Sequence, residues 1–184
     1  MTDAFVELTC RCGKVQLEVI GKPIISVECL CADCQKAGAV FQALPDAPQV
    51  LDANAATRFI LYRKDRVRRT QGQSWLREHR LSSTSKTRRV VATCCNTPVF
   101  LEFTNGHWLS LYGGLWDPAT LPTLETRTMT RDRPPGVELP DDVPNPRTHT
   151  WSFVARLLRA WVAMGFRAPK VDFVTGALDA SSAR

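Results

Sequence analysis

The sequence predicts a mainly β fold that ends in one amphipathic helix. Up to about residue 130, short apolar stretches, several of them alternating with polar residues, are separated by glycine, proline and asparagine. A chain of 184 residues is long enough to bury a core without covalent cross-links. With 44% hydrophobic and 23% charged residues, the composition is that of a globular protein and argues against a disordered, collagen-like or coiled-coil chain.

The first two predicted strands form a hairpin. "FVELTC" and "KVQLEV" alternate apolar and polar residues, and "RCG" lies between them, which places Cys10 and Cys12 near the turn. The β-branched run "IISV" then leads into "ECLCADCQKAG", where Gly38 is predicted to close a short polar turn or a helical turn. "AVFQAL", residues 39–44, is predicted to resume as a strand.

The central part of the chain predicts four more strands. "TRFILYRKDRVRR" is strand-like and basic, and "TRRVVATCCNTPVFLEF" indicates two short strands broken at "CCNTP", where Asn96 and Pro98 are turn-forming residues. "GHWLSLYGGLW" is predicted as a further strand that its glycines end.

The last part of the chain predicts a linker and a helix. Residues 131–149 hold five prolines and indicate an extended linker or surface loop, so we expect a β domain over 1–130 and a helix and tail over 150–184. Thr150 is a plausible N-cap and Gly165 a plausible C-cap of a helix that packs on the domain or on a partner. The tail "TGALDASSAR" is predicted to be disordered. The apolar residues at helical spacing are Val154, Leu157, Leu158, Trp161 and Val162.

The positive charge is concentrated in one segment. Residues 58–89 hold eleven Lys/Arg against two acids, whereas the rest of the chain holds thirteen against sixteen. Such a segment can attract nucleic acid, an anionic membrane or an acidic metabolite, although a solvated strand face explains it more simply.

The cysteines are the candidate functional residues. The N-terminus lacks the features of a signal peptide and no apolar run approaches the length of a membrane span, so a cytoplasmic, reducing location is expected. An odd number of cysteines there favours metal binding or catalysis over a disulfide framework. The seven are Cys10, Cys12, Cys29, Cys31, Cys34, Cys94 and Cys95.

The spacing of the cysteines predicts metal ligation. In an extended strand, side chains two apart share a face, so each CxC pair, Cys10/Cys12 and Cys29/Cys31, presents two sulfurs together. Cys34 follows Cys31 at the CxxC spacing, which predicts a three-thiolate site, with zinc as the default ion. The alternative, a redox pair in "CADC", requires the CxxC to open a helix within a βαβ unit.

These motifs resemble the glutathione-dependent formaldehyde-activating enzyme family, which includes centromere protein V relatives. The resemblance covers roughly residues 5–115 and depends on "CRCG", on "CLCADCQKAG" and on the late cysteine pair before Thr97. It implies a β-tent-like fold with two zinc sites. Cys10 and Cys12 would belong to the structural site, and Cys29, Cys31 and Cys34 to the catalytic site.

The late motif departs from the family pattern CxxCGT. Aligned on Thr97, Cys95 is its second cysteine, Ala92 occupies the first position and Asn96 replaces the glycine. Because neighbours in an extended chain point to opposite sides, Cys95 is predicted to join Cys10 and Cys12. Cys94 is then expected to face elsewhere, as a buried free thiol or as a stand-in for the missing ligand. The "CCxTP" form also resembles a variant branch of the superfamily.

The resemblance implies a carbon–sulfur lyase acting on a thiol adduct such as S-hydroxymethylglutathione. One or two zinc ions per chain would be bound, and the open position of the three-cysteine site would receive the adduct. Arginines from the basic segment would contact the carboxylates of glutathione. The histidines, His79, His107 and His149, lie outside the motifs and are expected to be surface or structural residues.

Two alternatives stay open at the level of sequence. The chain could be a non-catalytic zinc module that binds protein or nucleic acid, with Phe59, Tyr62 and Trp75 stacking on bases, although core packing explains the first two more simply. The three-cysteine site could also be purely structural, in which case chelation would unfold the protein. The predicted partner is a small-molecule thiol adduct rather than nucleic acid or a membrane, and homo-oligomerisation is left open.

Overall fold

The computed structural model describes residues 5–178 and confirms a mainly β fold with a C-terminal helix. The last six residues of the predicted disordered tail, 179–184, lie outside the described range. The ten strands are β1 Phe5–Thr9, β2 Gln16–Ile20, β3 Ile25–Cys29, β4 Thr57–Arg63, β5 Val67–Gln71, β6 Leu76–His79, β7 Thr87–Ala92, β8 Thr97–Phe103, β9 Trp108–Tyr112 and β10 Thr126–Thr128. The two α-helices are α1 Ala32–Gln42 and α2 Trp151–Ala163.

The strands form two sheets. The smaller sheet has the order β1-β2-β5, and the predicted hairpin is its β1–β2 pair, with Leu8 opposite Leu17. The larger sheet has the order β10-β3-β4-β9-β8-β7-β6, and all neighbours are antiparallel except β10, which runs parallel to β3. The break predicted at "CCNTP" is the turn between β7 and β8.

The large sheet is buried on both faces. Along β4, Ile60 and Tyr62 pack into a core shared with the small sheet, whereas Phe59 and Leu61 pack into a second core with the two helices. Because successive side chains of a strand alternate between faces, one strand supplies both cores. The sheet therefore separates two apolar compartments.

The prediction of a strand at residues 39–44 is wrong, because α1 continues to Gln42. The buried residues of α1 are Cys34, Ala37, Gly38 and Phe41, which follow the i, i+3, i+4, i+7 spacing of a helix face. Gly38 lies in the middle of that face rather than at a turn. A helix fits here because it places Phe41, which is fully buried, edge-on against the ring of Tyr112.

Helix α2 packs on the domain, with the predicted caps at its ends. The Thr150 hydroxyl accepts a hydrogen bond of 3.2 Å from the Phe153 amide, and Gly165 adopts a left-handed φ of 62°. His107 Nε2 lies 2.8 Å from the Leu157 carbonyl oxygen, which ties the helix to the large sheet. The outer face leaves large apolar side chains exposed, including Leu158 at 51%.

Both segments that flank α2 lie along the sheet edges. Arg127 of β10 binds the Asp142 carboxylate at 2.6 Å, and its amide donates to the Pro144 carbonyl. At the opposite edge, the backbone of Glu78 in β6 hydrogen-bonds the backbone of Gly176 and of Leu178. Residues 176–178, at the start of the tail, therefore run alongside this edge strand. No helix among residues 5–178 is long and apolar enough to cross a membrane.

Substitution Gly38→Ala should destabilise the fold. A Cβ at Gly38 would lie 2.4 Å from Cδ2 of Leu51, so that side chain must move. Overpacking costs about 1 to 3 kcal/mol, more than the roughly 1 kcal/mol that alanine gains over glycine in a helix. Urea unfolding measures the difference. Gly114→Ala, whose Cβ meets nothing within 4 Å, is the control and should change stability little; equal stability of the two variants would contradict the prediction.

Candidate metal centres and cavity

Four cysteines form one cluster between the two sheets. The sulfur of Cys12 lies 3.7 Å from that of Cys10 and 3.4 Å from that of Cys94, and Cys94 Sγ lies 3.8 Å from Cys10 Sγ and 3.9 Å from Cys95 Sγ. All four sulfurs lie within 4.8 Å of one another. Tetrahedral zinc with Zn–S bonds of about 2.3 Å separates its thiolates by about 3.8 Å. The donor set and its spacing therefore fit a zinc ion.

Two hairpin turns build this cluster. In the β1–β2 turn the Cys10 amide donates to the Val15 carbonyl, and Gly13 has a φ of 76° that favours glycine. In the β7–β8 turn Asn96 has a φ of 52°, a conformation that asparagine tolerates, which explains how it replaces glycine. The hydroxyl of Thr97 joins the turns, since it accepts from the Arg11 amide at 3.2 Å and lies 3.1 Å from Cys95 Sγ.

Cys94 lies inside the cluster, contrary to the expectation that it faces elsewhere. That expectation applied the alternation of an extended strand, but residues 93–96 form a turn in which the Cys95 amide donates to the Ala92 carbonyl at 3.3 Å. In a turn, adjacent side chains can converge on one point. Cys94 and Cys95 thus both lie beside Cys10 and Cys12, an arrangement that fits the alternative of Cys94 as a stand-in ligand, and metal ligation by these residues stays a prediction.

The thiols of the cluster differ in their readiness to ionise. Burial raises the pKa of Cys10 and of Cys94. Burial also opposes ionisation of Cys95, but hydrogen bonds from the Thr97 hydroxyl and the Cys12 backbone lower the pKa of Cys95 to about 7. Metal binding must therefore displace protons from Cys10 and Cys94, as it does from thiol ligands in zinc sites generally.

The second group of cysteines lies on the opposite face of the large sheet. Cys29 ends β3, Cys31 is the N-cap of α1 and Cys34 lies in its first turn, where its amide donates to the Cys31 carbonyl at 2.9 Å. The three sulfurs lie within 4.8 Å of one another, and we call them the triad. The CxxC does open a helix, but β3 and β4 are antiparallel, so the βαβ unit that the redox alternative requires is not formed.

The triad favours one negative charge, on Cys31. Hydrogen bonds from the thiols of Cys29 and Cys34 lower the pKa of Cys31 to about 2. The partnership with Cys31 raises the pKa of Cys29 to about 12, and the partnership with Cys29 raises that of Cys34. Three thiolates fit zinc and leave its fourth position open, the pattern of catalytic zinc sites.

A cavity of about 600 Å³ opens onto the triad. Its volume is within the range of small-molecule sites. The floor is the face of the large sheet that carries Phe59, Leu61 and Leu101, and one wall is α2, with Phe153, Val154 and Leu157. The triad thus lies in a ligand-sized, mainly apolar cavity.

Arg89 is a buried cation that lines this cavity. Its side chain, on β7, is only 2% exposed. Nη2 donates to the Asp33 carbonyl at 3.3 Å, whereas Nε and Nη1 are buried without a hydrogen-bond partner among the residues that the structure describes. Unsatisfied buried donors are costly, and the neighbouring Arg89 charge acts to lower the pKa of the Tyr112 hydroxyl, against the larger effect of burial. Sequence reasoning placed a ligand-binding arginine in the basic segment but did not single out Arg89.

Most other basic residues of that segment have structural partners. Lys64 and Arg88 bind the carboxylate of Glu102 at 2.5 and 2.6 Å, and Arg88 also binds Glu78 at 3.1 Å. Phe59 and Tyr62 are buried at 3% and 2% exposure, so neither ring is free to stack on a base. The segment therefore consists largely of charge pairs along the strands.

His149 also lines the cavity, although sequence reasoning treated it as a surface or structural residue. Its Nδ1 lies 2.9 Å from the Thr128 hydroxyl and its ring stacks on Phe153. Desolvation lowers the pKa of His149, with the Cys31 thiolate acting in the opposite direction, so the imidazole is neutral at pH 7. His107 is structural, because it holds α2, and His79 packs edge-on against Phe41.

The family can be assigned from the sequence match. Residues 5–125 match the model of the glutathione-dependent formaldehyde-activating enzyme family. The chain belongs to that family. A solved structure of a Rhodobacter sphaeroides protein is 16% identical and superposes with a TM-score of 0.46 over 65% of this chain and 97% of the other. The comparison with curated proteins gave no match.

The match to the formaldehyde-activating family ends before several residues of the cavity lining. The matched residues include both cysteine clusters and Arg89. His149 and all of α2 lie beyond residue 125, so one wall and one titratable side chain of the cavity come from outside the matched residues.

Metal analysis should find two zinc ions per chain, one in each cluster. Cys31→Ser should remove one zinc and leave the protein folded, because the triad lies in a cavity rather than joining two turns. Cys94→Ser should remove the other zinc and lower the melting temperature, because that cluster joins the two turns. Atomic emission spectroscopy measures the zinc content of each variant, and thermal unfolding measures its stability. Cys94→Ser protein that retains two zinc ions and full stability would contradict the assignment of Cys94 as a ligand.

Proposed function

We propose that the protein is a zinc-dependent carbon–sulfur lyase that forms and cleaves the hydroxymethyl adduct of a thiol with formaldehyde. The observation that carries the proposal is the presence, in one cavity, of the triad, of the buried cation Arg89 and of neutral His149. Family membership supports the same chemistry.

The triad would hold the zinc ion. When bound, zinc supplies a Lewis acid with an open position that favours the thiolate form of the substrate sulfur. Burial of Cys29 and Cys34 beneath the cavity keeps bulk water from the ligand side of the site.

In the cleavage direction the adduct is RS–CH₂–OH. His149 accepts the hydroxyl proton, the oxygen electron pair forms the carbonyl of formaldehyde, and the C–S bonding electrons leave with the sulfur. The thiolate takes the proton from His149, so thiol and formaldehyde are the only products and no oxidant or reductant is required. A neutral histidine with a lowered pKa is suited to accept and return a proton near pH 7.

Arg89 stabilises the oxygen as it gains negative charge. Its Nε and Nη1 have no hydrogen-bond partner among residues 5–178, and the backbone of Asp33 fixes the guanidinium through Nη2. A donor held in place in an enclosed cavity stabilises developing charge more effectively than water does. Arg89 is thus the residue of the basic segment to which the proposal gives a role in the reaction.

The rate of exchange between free formaldehyde and its thiol adduct tests the proposal. Nuclear magnetic resonance of ¹³C-formaldehyde mixed with a thiol measures the rate at which free formaldehyde and the adduct interconvert. Zinc-loaded protein should accelerate the exchange with glutathione or with another thiol, and Cys31→Ser should abolish the acceleration. Two bound zinc ions with no acceleration for any thiol would refute the lyase function.

Replacement of Arg89 by Met should separate catalysis from stability. Loss of a donor to the developing oxyanion typically lowers kcat about a hundredfold or more. The free energy of unfolding should stay constant or rise, because two unsatisfied buried N–H groups are removed. The control is Arg88→Met, which breaks ion pairs with Glu78 and Glu102 and should lower stability with kcat retained. A large loss of stability in Arg89→Met with unchanged kcat would indicate a structural role.

The pH profile tests His149. Since its pKa is lowered, the neutral form persists below the ordinary histidine range, and kcat should fall as pH decreases through that lowered pKa. His149→Gln should reduce kcat and remove this acid limb. In the control variant His79→Gln, the replaced histidine lies outside the cavity lining, and the acid limb should remain. An identical acid limb in wild type and His149→Gln would exclude His149 as the base.

A further inference from the structure

We infer that this chain prefers thiol adducts with an apolar group to the glutathione adduct, and that α2 sets this preference. The inference rests on the proposed function and specifies the substrate class of the same cavity. It follows from the surfaces that a bound adduct would contact beyond the triad.

The cavity presents apolar side chains from two sides. Phe59, Leu61 and Leu101 rise from the large sheet, and Phe153, Val154 and Leu157 face them from α2. Val154 is 45% exposed in the structure, so an apolar ligand would cover apolar surface that now contacts water. Each methylene that moves from water into such a site increases affinity.

The charges of the cavity are unsuited to glutathione. That tripeptide carries two carboxylates and one ammonium group, whereas Arg89 is the only lysine or arginine of the lining among the described residues, and the lining also includes Asp33 and Asp132. Arg89 is assigned to the reacting oxygen, which leaves both glutathione carboxylates without a partner. An unpaired carboxylate in an apolar cavity is strongly disfavoured.

Helix α2 is held in position over the triad by contacts of its own. The bond of 2.8 Å between His107 Nε2 and the Leu157 carbonyl fixes its middle, and the Thr150 hydroxyl caps its first turn. The rings of His107 and Trp161 stack with centroids 5.7 Å apart. Helix α2 follows the family-matched residues 5–125, so its wall comes from outside the match.

A series of thiols tests the preference by binding rather than by turnover. Isothermal titration calorimetry of the zinc-loaded protein with ethanethiol, butanethiol and hexanethiol should show affinity rising by up to about fourfold per added methylene. Hexanethiol should bind at least tenfold more tightly than glutathione. A flat series, or glutathione binding as tightly as hexanethiol, would overturn the inference.

Matched variants test the role of α2. Val154 lines the cavity and Leu158 is on the same helix outside the lining, and both are about half exposed. Val154→Asp should weaken hexanethiol binding at least tenfold, whereas Leu158→Asp should leave it unchanged. Val154→Ala, which introduces no charge, should give a smaller loss of the same kind. Equal effects at both positions would overturn the assignment of specificity to α2.

The two proposals fail in different ways. Acceleration of the glutathione exchange together with a flat thiol series would refute apolar specificity and leave the lyase function standing. A steep thiol series with no acceleration for any adduct would refute the lyase function, while apolar recognition by the cavity would stand.

Discussion

The structure depends on a single sheet that is buried on both faces. The alternation of side chains along β4 sends Ile60 and Tyr62 to one core and Phe59 and Leu61 to the other, so each cysteine cluster has its own compartment. The four-cysteine cluster lies where the two sheets meet, and the triad lies beneath the helices. This separation allows one cluster to be closed by two turns while the other remains open to a cavity of about 600 Å³.

The two clusters also differ in how the backbone gathers their sulfurs. Cys10, Cys12, Cys94 and Cys95 come from two turns that are distant in sequence, so a metal there would join the small sheet to the large one. Cys29, Cys31 and Cys34 come from a single strand-to-helix junction, which the surrounding core already holds. A metal bound to the first cluster therefore contributes to folding, whereas a metal in the second contributes chiefly to the chemistry of the cavity.

The sequence was most informative where local rules decide the structure. Alternation gave the β1–β2 hairpin, and the CxC and CxxC spacings placed Cys29, Cys31 and Cys34 together. The sequence was misleading where a rule was applied to the wrong element. Gly38 was interpreted as part of a turn, although it lies on a helix face. Cys94 was given the orientation of a strand residue, although it lies in a turn. Arg89 and His149 reach the triad through long-range packing, which no local pattern predicts.

Arg89 shows that a reactive site and a stable core require different surroundings for the charged residues of the same sheet. Its neighbour Arg88 is fully engaged with Glu78 and Glu102, and the register that pairs β7 with β8 sends the two arginines to opposite faces. On the Arg88 side, each charge meets an opposite charge and supports the fold. On the Arg89 side, two buried N–H groups have no partner in the described structure, which is a cost to the stability of the fold, and the residue lines the cavity. The same two-residue alternation that builds the core thus leaves one cation available to the chemistry of the cavity.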